Sequence, residues 1–381
     1  MTGLIQRPSL WHHIQAWDGE PGETGARRLL TGPLLVTDRD LAHQVLVGAE
    51  RYREQSAFLR TRSFDPLPGP VRNTVIKGLM TAIAAYGRDP AAVPRHVFSG
   101  RRTVRTQHWG IWWMRYLFRN ALAFDRPPAI DSCIDQFVRR KILGDDVGGR
   151  FRRMNPKDRD DLHNRAGLEI ERAAAGTGHN DLVDVVAGLD FDLPTIERGE
   201  LYVRLVHSVI SFTGTALEWA VLLAATRDDF RSDLRAGRDV RRYLLEAQRL
   251  YPTAWRLVRV AATDHEIGGE PVTAGDDVII ATATLHRSAD SWPDSKEYVP
   301  CRWARPDLAR DRAFAPFGRG RGMCPGREVA FDAIHESLQW IFDNHTVTAG
   351  GRAWRTPYVR SIVAPPKTRI RVRPATPRPA A

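Results

Sequence analysis

The pattern of hydrophobic and polar positions along this chain predicts helices over most of its length. In GPLLVTDRDLAHQVLVGAERY the period changes: Leu34, Leu35 and Val36 form a short apolar run, Asp38 to Asp40 read as a turn, and Leu41, Val45 and Leu46 then share one helical face. Past the Pro- and Gly-rich residues 65–70, VRNTVIKGLMTAIAAYG reads as a second helix. WGIWWMRYLFRNALAF carries aromatic residues on most sides, which predicts a buried helix with Trp109, Trp112 and Trp113 as core. Residues 197–226 form the longest apolar helical stretch, and DVRRYLLEAQRL follows as an amphipathic helix. Beyond it, WRLVRVAATDHEIGGEPVTAGDDVIIATATLH alternates apolar and polar positions between Gly-rich turns and predicts short antiparallel strands. The expected fold is mainly α, with small antiparallel β-sheets. No repeat, low-complexity block or long linker divides residues 1–381, so a single domain is expected, with about 375–381 as a disordered tail.

Composition narrows the class. Hydrophobic residues at 43% and charged residues at 27% are ordinary globular values and exclude a disordered or fibrous chain. MTGLIQRPSLWHHIQAW has no basic stretch leading into an unbroken apolar run, and no later segment reaches about 20 uncharged apolar residues. A soluble, cytoplasmic protein without a membrane span is expected. The net charge of +11 and pI near 10.0 come from basic residues spread along the chain, with no nucleic-acid-binding motif among them. A basic face that docks an acidic electron-transfer protein is a more economical use of that charge.

Three cysteines, Cys133, Cys301 and Cys324, are too scattered for a disulfide framework and form no C-x-x-C pair for structural zinc. One of them stands in unusual company. In Phe314-Ala-Pro-Phe317-Gly318-Arg-Gly320-Arg321-Gly322-Met-Cys324-Pro-Gly326-Arg327, four glycines crowd the cysteine just before a helical run. Glycine lets the backbone approach something flat, and a thiolate at a helix N-terminus is stabilised by free N–H groups and the helix dipole. A phosphate-binding glycine loop is excluded, because G-x-G-x-x-G would need glycine at Met323 or at Pro325.

The order F-G-x-G-x-x-x-C-x-G, carried by Phe317, Gly318, Gly320, Cys324 and Gly326, resembles the haem-binding signature of the cytochrome P-450 family, whose thiolate ligand favours O–O cleavage. Two residues before the cysteine the family usually has His or Arg facing a haem propionate; here it is Gly322, and Arg321 is the candidate substitute. Glu246-Ala-Gln-Arg249 resembles the family's Glu-x-x-Arg helix motif, and Arg259 its propionate-binding strand arginine. Tyr298-Val-Pro300-Cys-Arg302-Trp303 resembles a third family element, so that residues 240–331 match almost continuously, with Cys301 expected to pack. LLVTDRDLAHQVL and Glu50-Arg-Tyr52 resemble the family's first strand, the helix after it and the R-F/Y that closes that helix. Arg72 is the candidate for the arginine of a His-x-x-x-Arg pair whose histidine is missing.

Oxygen-activating relatives place an acid and an alcohol side by side in the long central helix. Counting back from Glu246 without gaps puts Ile210 and Ser211 at those positions. Matching Gly214 to the family glycine instead gives Ala216 and Leu217, with Thr213, Thr215 and Glu218 nearby. Ser211, Thr213 and Thr215 are thus the candidate catalytic alcohols; the alternative is that they only back-bond to the preceding turn.

The resemblance implies the P-450 fold with haem b between the long helix and the Cys324 loop. Cys324 is then the iron ligand, and Phe317, Gly318, Gly326, Arg259, Arg321 and Arg72 lie around the haem. The implied function is monooxygenase-type oxidation of a small apolar or aromatic metabolite, as in natural-product tailoring, by a monomer that takes electrons from a ferredoxin and ferredoxin reductase. The missing acid keeps open oxidative coupling, nitrogen transfer or dehydration without oxygen insertion, and a non-catalytic haem sensor.

Overall fold

The computed structural model describes residues 25–375 apart from 30–31, 55–57, 61–65, 94–102, 124–127, 147–153, 175–179, 350–356 and 360. The proposed tail, beyond Ala375, lies outside the described residues. The chain forms two compact units: residues 56–218, and residues 1–55 together with 219–381.

In the second of these, five short strands make a sheet in the order Ala26–Arg28, Leu34–Val36, Asp277–Ile280, Leu257–Ala261, Tyr52–Glu54. All neighbours run antiparallel except Leu34–Val36 and Asp277–Ile280, which are parallel. The helix Arg39–Val47 starts where the turn was expected: the Asp38 carboxylate accepts from the N–H groups of Asp40 and Leu41 at 2.9 and 2.8 Å, a cap worth about 1 kcal/mol. Its inner face buries Ala42, Val45 and Leu46 against Leu34, Val36, Val278 and Ile280 of the sheet, each larger side chain contributing roughly 1.5–3 kcal/mol. The hairpin His265–Ile267/Glu270–Val272 turns on Gly268 and Gly269, at φ +57° and +85°, the left-handed pair that suits a two-residue hairpin.

The same unit holds the helices Arg241–Leu250 and Arg327–Asn344. Phe314, just before the glycine loop, is clamped by Trp303 and Trp292 with ring centroids 4.6 and 6.2 Å away. This aromatic wedge fixes where the glycine loop begins.

The unit 56–218 is helical where it is described, but for short strand segments: Gly69–Tyr86, Trp109–Leu117, Pro128–Phe137, Pro156–Ala174, Leu182–Ala187 and most of the long helix Thr195–Thr226. Trp109 and Trp113 are buried as expected; Trp112 is half-buried, with the guanidinium groups of Arg115 and Arg139 over its ring at 5.1 and 5.0 Å. Helix Trp109–Leu117 crosses the long helix backbone to backbone, since a Cβ on Gly110 would fall 2.2 Å from the Gly214 carbonyl oxygen. Gly214 is therefore a packing glycine. The long helix is apolar enough to cross a membrane by length and composition, yet 83% of its most apolar window is buried in the protein, as in a core helix.

Candidate functional site

The cysteine loop is built on main-chain hydrogen bonds. Gly318 N–H donates to the Ala315 carbonyl at 3.1 Å, Met323 N–H to Gly320 at 3.2 Å and Cys324 N–H to Phe317 at 2.8 Å. Gly318 and Gly320 have φ of +73° and +63°, and a Cβ on Gly320 would meet the Leu46 carbonyl oxygen at 2.8 Å. Both positions therefore exclude ordinary side chains. Helix Arg327–Asn344 begins directly after Gly326, which places Cys324 at its N-terminal end.

Cys324 is exposed, yet burial pushes its thiol up, opposed by the Gly326 N–H and the Arg327 charge. Neighbouring loop atoms thus desolvate the sulfur while part of its surface stays open. A Cβ on Gly326 would stand 4.0 Å from the sulfur, so that flank is bare as well. Phe317 lies half-buried, 5.4 Å from Phe331, and Arg321 is exposed on the turn Gly320–Gly322. No group of three His, Cys, Asp or Glu side chains among the described residues could hold a metal ion. A lone thiolate on a glycine loop suits a metal whose remaining ligands come with it.

Behind the loop lies the Glu246–Arg249 pair, with neither side chain exposed. Arg249 donates from Nε and Nη2 to the carboxylate at 3.0 and 2.8 Å, and to the carbonyls of His286, Ser295 and Glu297 at 2.7, 2.6 and 2.8 Å. All five N–H groups of the guanidinium are used. The carboxylate also accepts from Val299 N–H and Trp303 Nε1–H, each at 2.8 Å, and from Arg302 Nε at 3.3 Å. Cys301, in the adjacent turn Pro300–Ala304, is exposed and not packed as expected, while Cys133 is buried.

Arg259 is buried on strand Leu257–Ala261 and donates to the Val258 carbonyl at 3.1 Å. Arg256 escaped the reading of the sequence: burial pushes its guanidinium down to about 10, still charged at neutral pH, with its charge 4.6 Å from the Trp255 ring centroid. Position gave the only signal, three residues before Arg259.

A sequence profile of the family described as Cytochrome P450 matches residues 240–371. Along nearly the whole chain, the fold matches a solved structure reported among unusual cytochrome P450-like monooxygenases of microbial secondary metabolism, at TM-score 0.74 and 12% identity over 97% of this chain and 99% of the other. Residues 240–371 thus match the cytochrome P450 family in sequence, and the fold of nearly the whole chain is one that solved cytochrome P450 structures share. CYP109E1 of Bacillus megaterium, crystallised with corticosterone, has the same fold at TM-score 0.71 and 15% identity, over 95% and 97% of the two chains. Among curated relatives, Cytochrome P450 3A13 of Mus musculus is 36% identical over 104 residues, 27% of this chain and 21% of that protein. Cyclooctat-9-en-7-ol 5-monooxygenase of Streptomyces melanosporofaciens is 35% identical over 101 residues, 26% and 22%. The chain thus spans about a fifth of the length of these curated relatives. The P-450 cofactor is haem, iron protoporphyrin IX, and the exposed thiol on its glycine loop fits it.

The remaining candidates belong to the unit 56–218. Arg72 is half-buried on helix Gly69–Tyr86. On the long helix, Ser211 does not back-bond: its hydroxyl lies 2.6 Å from His207 Nδ1, one turn earlier. The His207 ring stands among Phe58, Phe137 and Phe212, at 6.0, 5.9 and 6.2 Å. Ser208 does back-bond, to Leu205 at 2.7 Å. Thr213 is buried, and buried Thr215 makes no side-chain hydrogen bond. Glu218 is no partner for these alcohols; it accepts from Gly110 N–H at 2.9 Å and so caps the neighbouring helix. Burial pushes its carboxyl well above the usual range, against the pull of the Gly110 and His108 N–H groups.

Proposed function

We propose that the chain is a haem-thiolate oxidoreductase of the monooxygenase type, in which Cys324 is the single protein ligand to the iron. The observation that carries this reading is an exposed thiol on a loop of left-handed glycines, backed by a fully buried ion-pair network. Gly318, Gly320 and Gly326 let the loop lie flat against a ring system, with Phe317 as an apolar contact. Arg259, with Arg256 and Arg321, supplies cations for the two propionates, and charge-assisted bonds of that kind are about twice as strong as neutral ones. When bound, the haem supplies redox and oxygen chemistry that no side chain offers. The protein's part is to present a thiolate and hold the ring.

Electrons come from a ferredoxin and its reductase, for which the basic surface is suited. The substrate is a small apolar or aromatic metabolite of the natural-product kind. Turnover with NADPH, ferredoxin and ferredoxin reductase against a metabolite panel, with spin-state titrations to find binders, is the test. Binders that shift the spin state and yield oxygenated products support it; gas binding with no turnover of any spectral binder points to a sensor.

A second reading within the same chemistry is favoured by Ile210, which is fully buried and which the gap-free alignment puts at the acid position of relatives; the alternative alignment puts Ala216 there, equally without an acid. Chemistry without oxygen insertion needs no such acid, and isotopically labelled dioxygen distinguishes the two readings by label in the product. For Ser211→Ala we expect product formation to fall by less than about tenfold, against the 100- to 10,000-fold that a positioned proton-transfer group contributes. Substrate or ordered water then delivers the proton. A loss of roughly a hundredfold, with electrons diverted to peroxide, makes the hydroxyl held by His207 the proton donor instead.

A further inference from the structure

One buried residue that joins the ion-pair network to the root of the thiolate loop is His286. It is fully buried at the end of the short helix Thr282–Leu285, and its main-chain carbonyl accepts from Arg249 Nη1 at 2.7 Å. Its ring reaches the other way: Nε2 accepts the Ala315 N–H at 2.9 Å, while the ring centroid stands 5.2 Å from Phe314. Ala315 in turn offers its carbonyl to Gly318 N–H at 3.1 Å, the first bond of the glycine loop. One residue thus contacts Arg249 through its backbone and the root of the Cys324 loop through its side chain.

Chemistry restricts which residue can do this. The Ala315 N–H is buried and needs an acceptor, and an imidazole accepts only at a nitrogen carrying no proton. Nε2 must therefore be bare, with the ring proton on Nδ1. Burial, helped by the Arg249 charge, pushes this histidine down to about 3, so the neutral form persists across the working pH range. The Gln248 and Arg249 backbone carbonyls pull weakly the other way.

We propose that His286 is a positioning residue for the thiolate: its Nε2 fixes Ala315, and through Ala315 the turn that aims Cys324, so that the buried pair and the iron ligand behave as one mechanical unit. This rests on the haem-thiolate reading for its purpose, but not for its geometry.

The test compares replacements that keep an acceptor, His286→Asn and His286→Gln, with one that lacks it, His286→Leu. Amide hydrogen exchange is read in the haem-loaded protein over residues 313–324, with helix Arg327–Asn344 as the internal control. Loss of a buried acceptor is expected to speed exchange over 313–324 by roughly ten- to a hundredfold in His286→Leu. At least one amide variant should stay within about threefold of wild type, as a retained hydrogen bond requires. The control helix should be unchanged in all of them. In parallel, the carbon-monoxide complex of His286→Leu should convert faster from the thiolate-ligated to the shorter-wavelength form. If His286→Leu does not fold, His286→Phe supplies a ring without an acceptor. Equal exchange in acceptor-bearing and acceptor-lacking variants overturns the proposal, and so does faster exchange that extends to the control helix. If wild type gives no thiolate band while the exchange difference persists, the haem reading fails and the positioning role stands.

Discussion

Replacing Cys324 by Ala or His is expected to abolish the long-wavelength Soret band of the reduced, carbon-monoxide-bound protein after reconstitution with haem. The effect should be complete rather than graded, because that band reports a sulfur–iron bond and the variant has no sulfur there. Neither of the other thiols can take over. Cys133 is buried, and Cys301 is exposed on the turn Pro300–Ala304, which lacks the glycines that permit close approach. Cys133→Ala and Cys301→Ala should therefore keep the band. The Ala variant also separates ligation from folding: removing one exposed sulfur should leave the far-UV circular dichroism and urea midpoint of the haem-free protein near those of wild type. A retained long-wavelength band in either Cys324 variant removes the basis of the functional assignment.

Much of this arrangement is visible in the sequence, for reasons that differ by element. The helix after Asp38 is legible because its cap and its apolar face are local, lying within about ten residues. The glycine loop is legible because close approach and positive φ restrict residue type at each position, as the φ values of Gly318 and Gly320 show. Burial of Glu246 and Arg249 is not legible from the pair itself, since a Glu/Arg pair at that spacing usually decorates a surface; the neighbouring motifs placed it. The link from His286 Nε2 to Ala315 spans 29 residues and ends on a main-chain N–H, which any residue other than proline could supply. No sequence pattern marks such a bond. His207 could have been found, because a residue four positions before Ser211 shares its helix face. The approach of Gly110 to Gly214 could not, because two lone glycines 104 residues apart carry no sign that they meet.

The Glu246–Arg249 pair should be the costliest site outside the ligand itself. Replacing either residue by Ala leaves the other charge buried without its partner, at a cost of about 3–5 kcal/mol. For an isolated buried pair, removing both charges often restores stability. Here it should not, because the bonds extend beyond the pair. Without Arg249, the carbonyls of His286, Ser295 and Glu297 lose their donor; without Glu246, Val299 N–H and Trp303 Nε1–H lose their acceptor. A Glu246→Leu, Arg249→Leu double variant is therefore expected to be no more stable than either Ala variant. Arg249→Lys should also fail, since an ammonium has three N–H donors at one point and cannot reproduce five in a planar fork. Denaturant midpoints and haem content per protein are the measurements. Both should fall in every one of these variants, with haem lost first because the network backs the loop through His286. Normal haem content in Arg249→Lys would mean that charge alone suffices there. Recovery in the double variant would reduce the network to a simple ion pair.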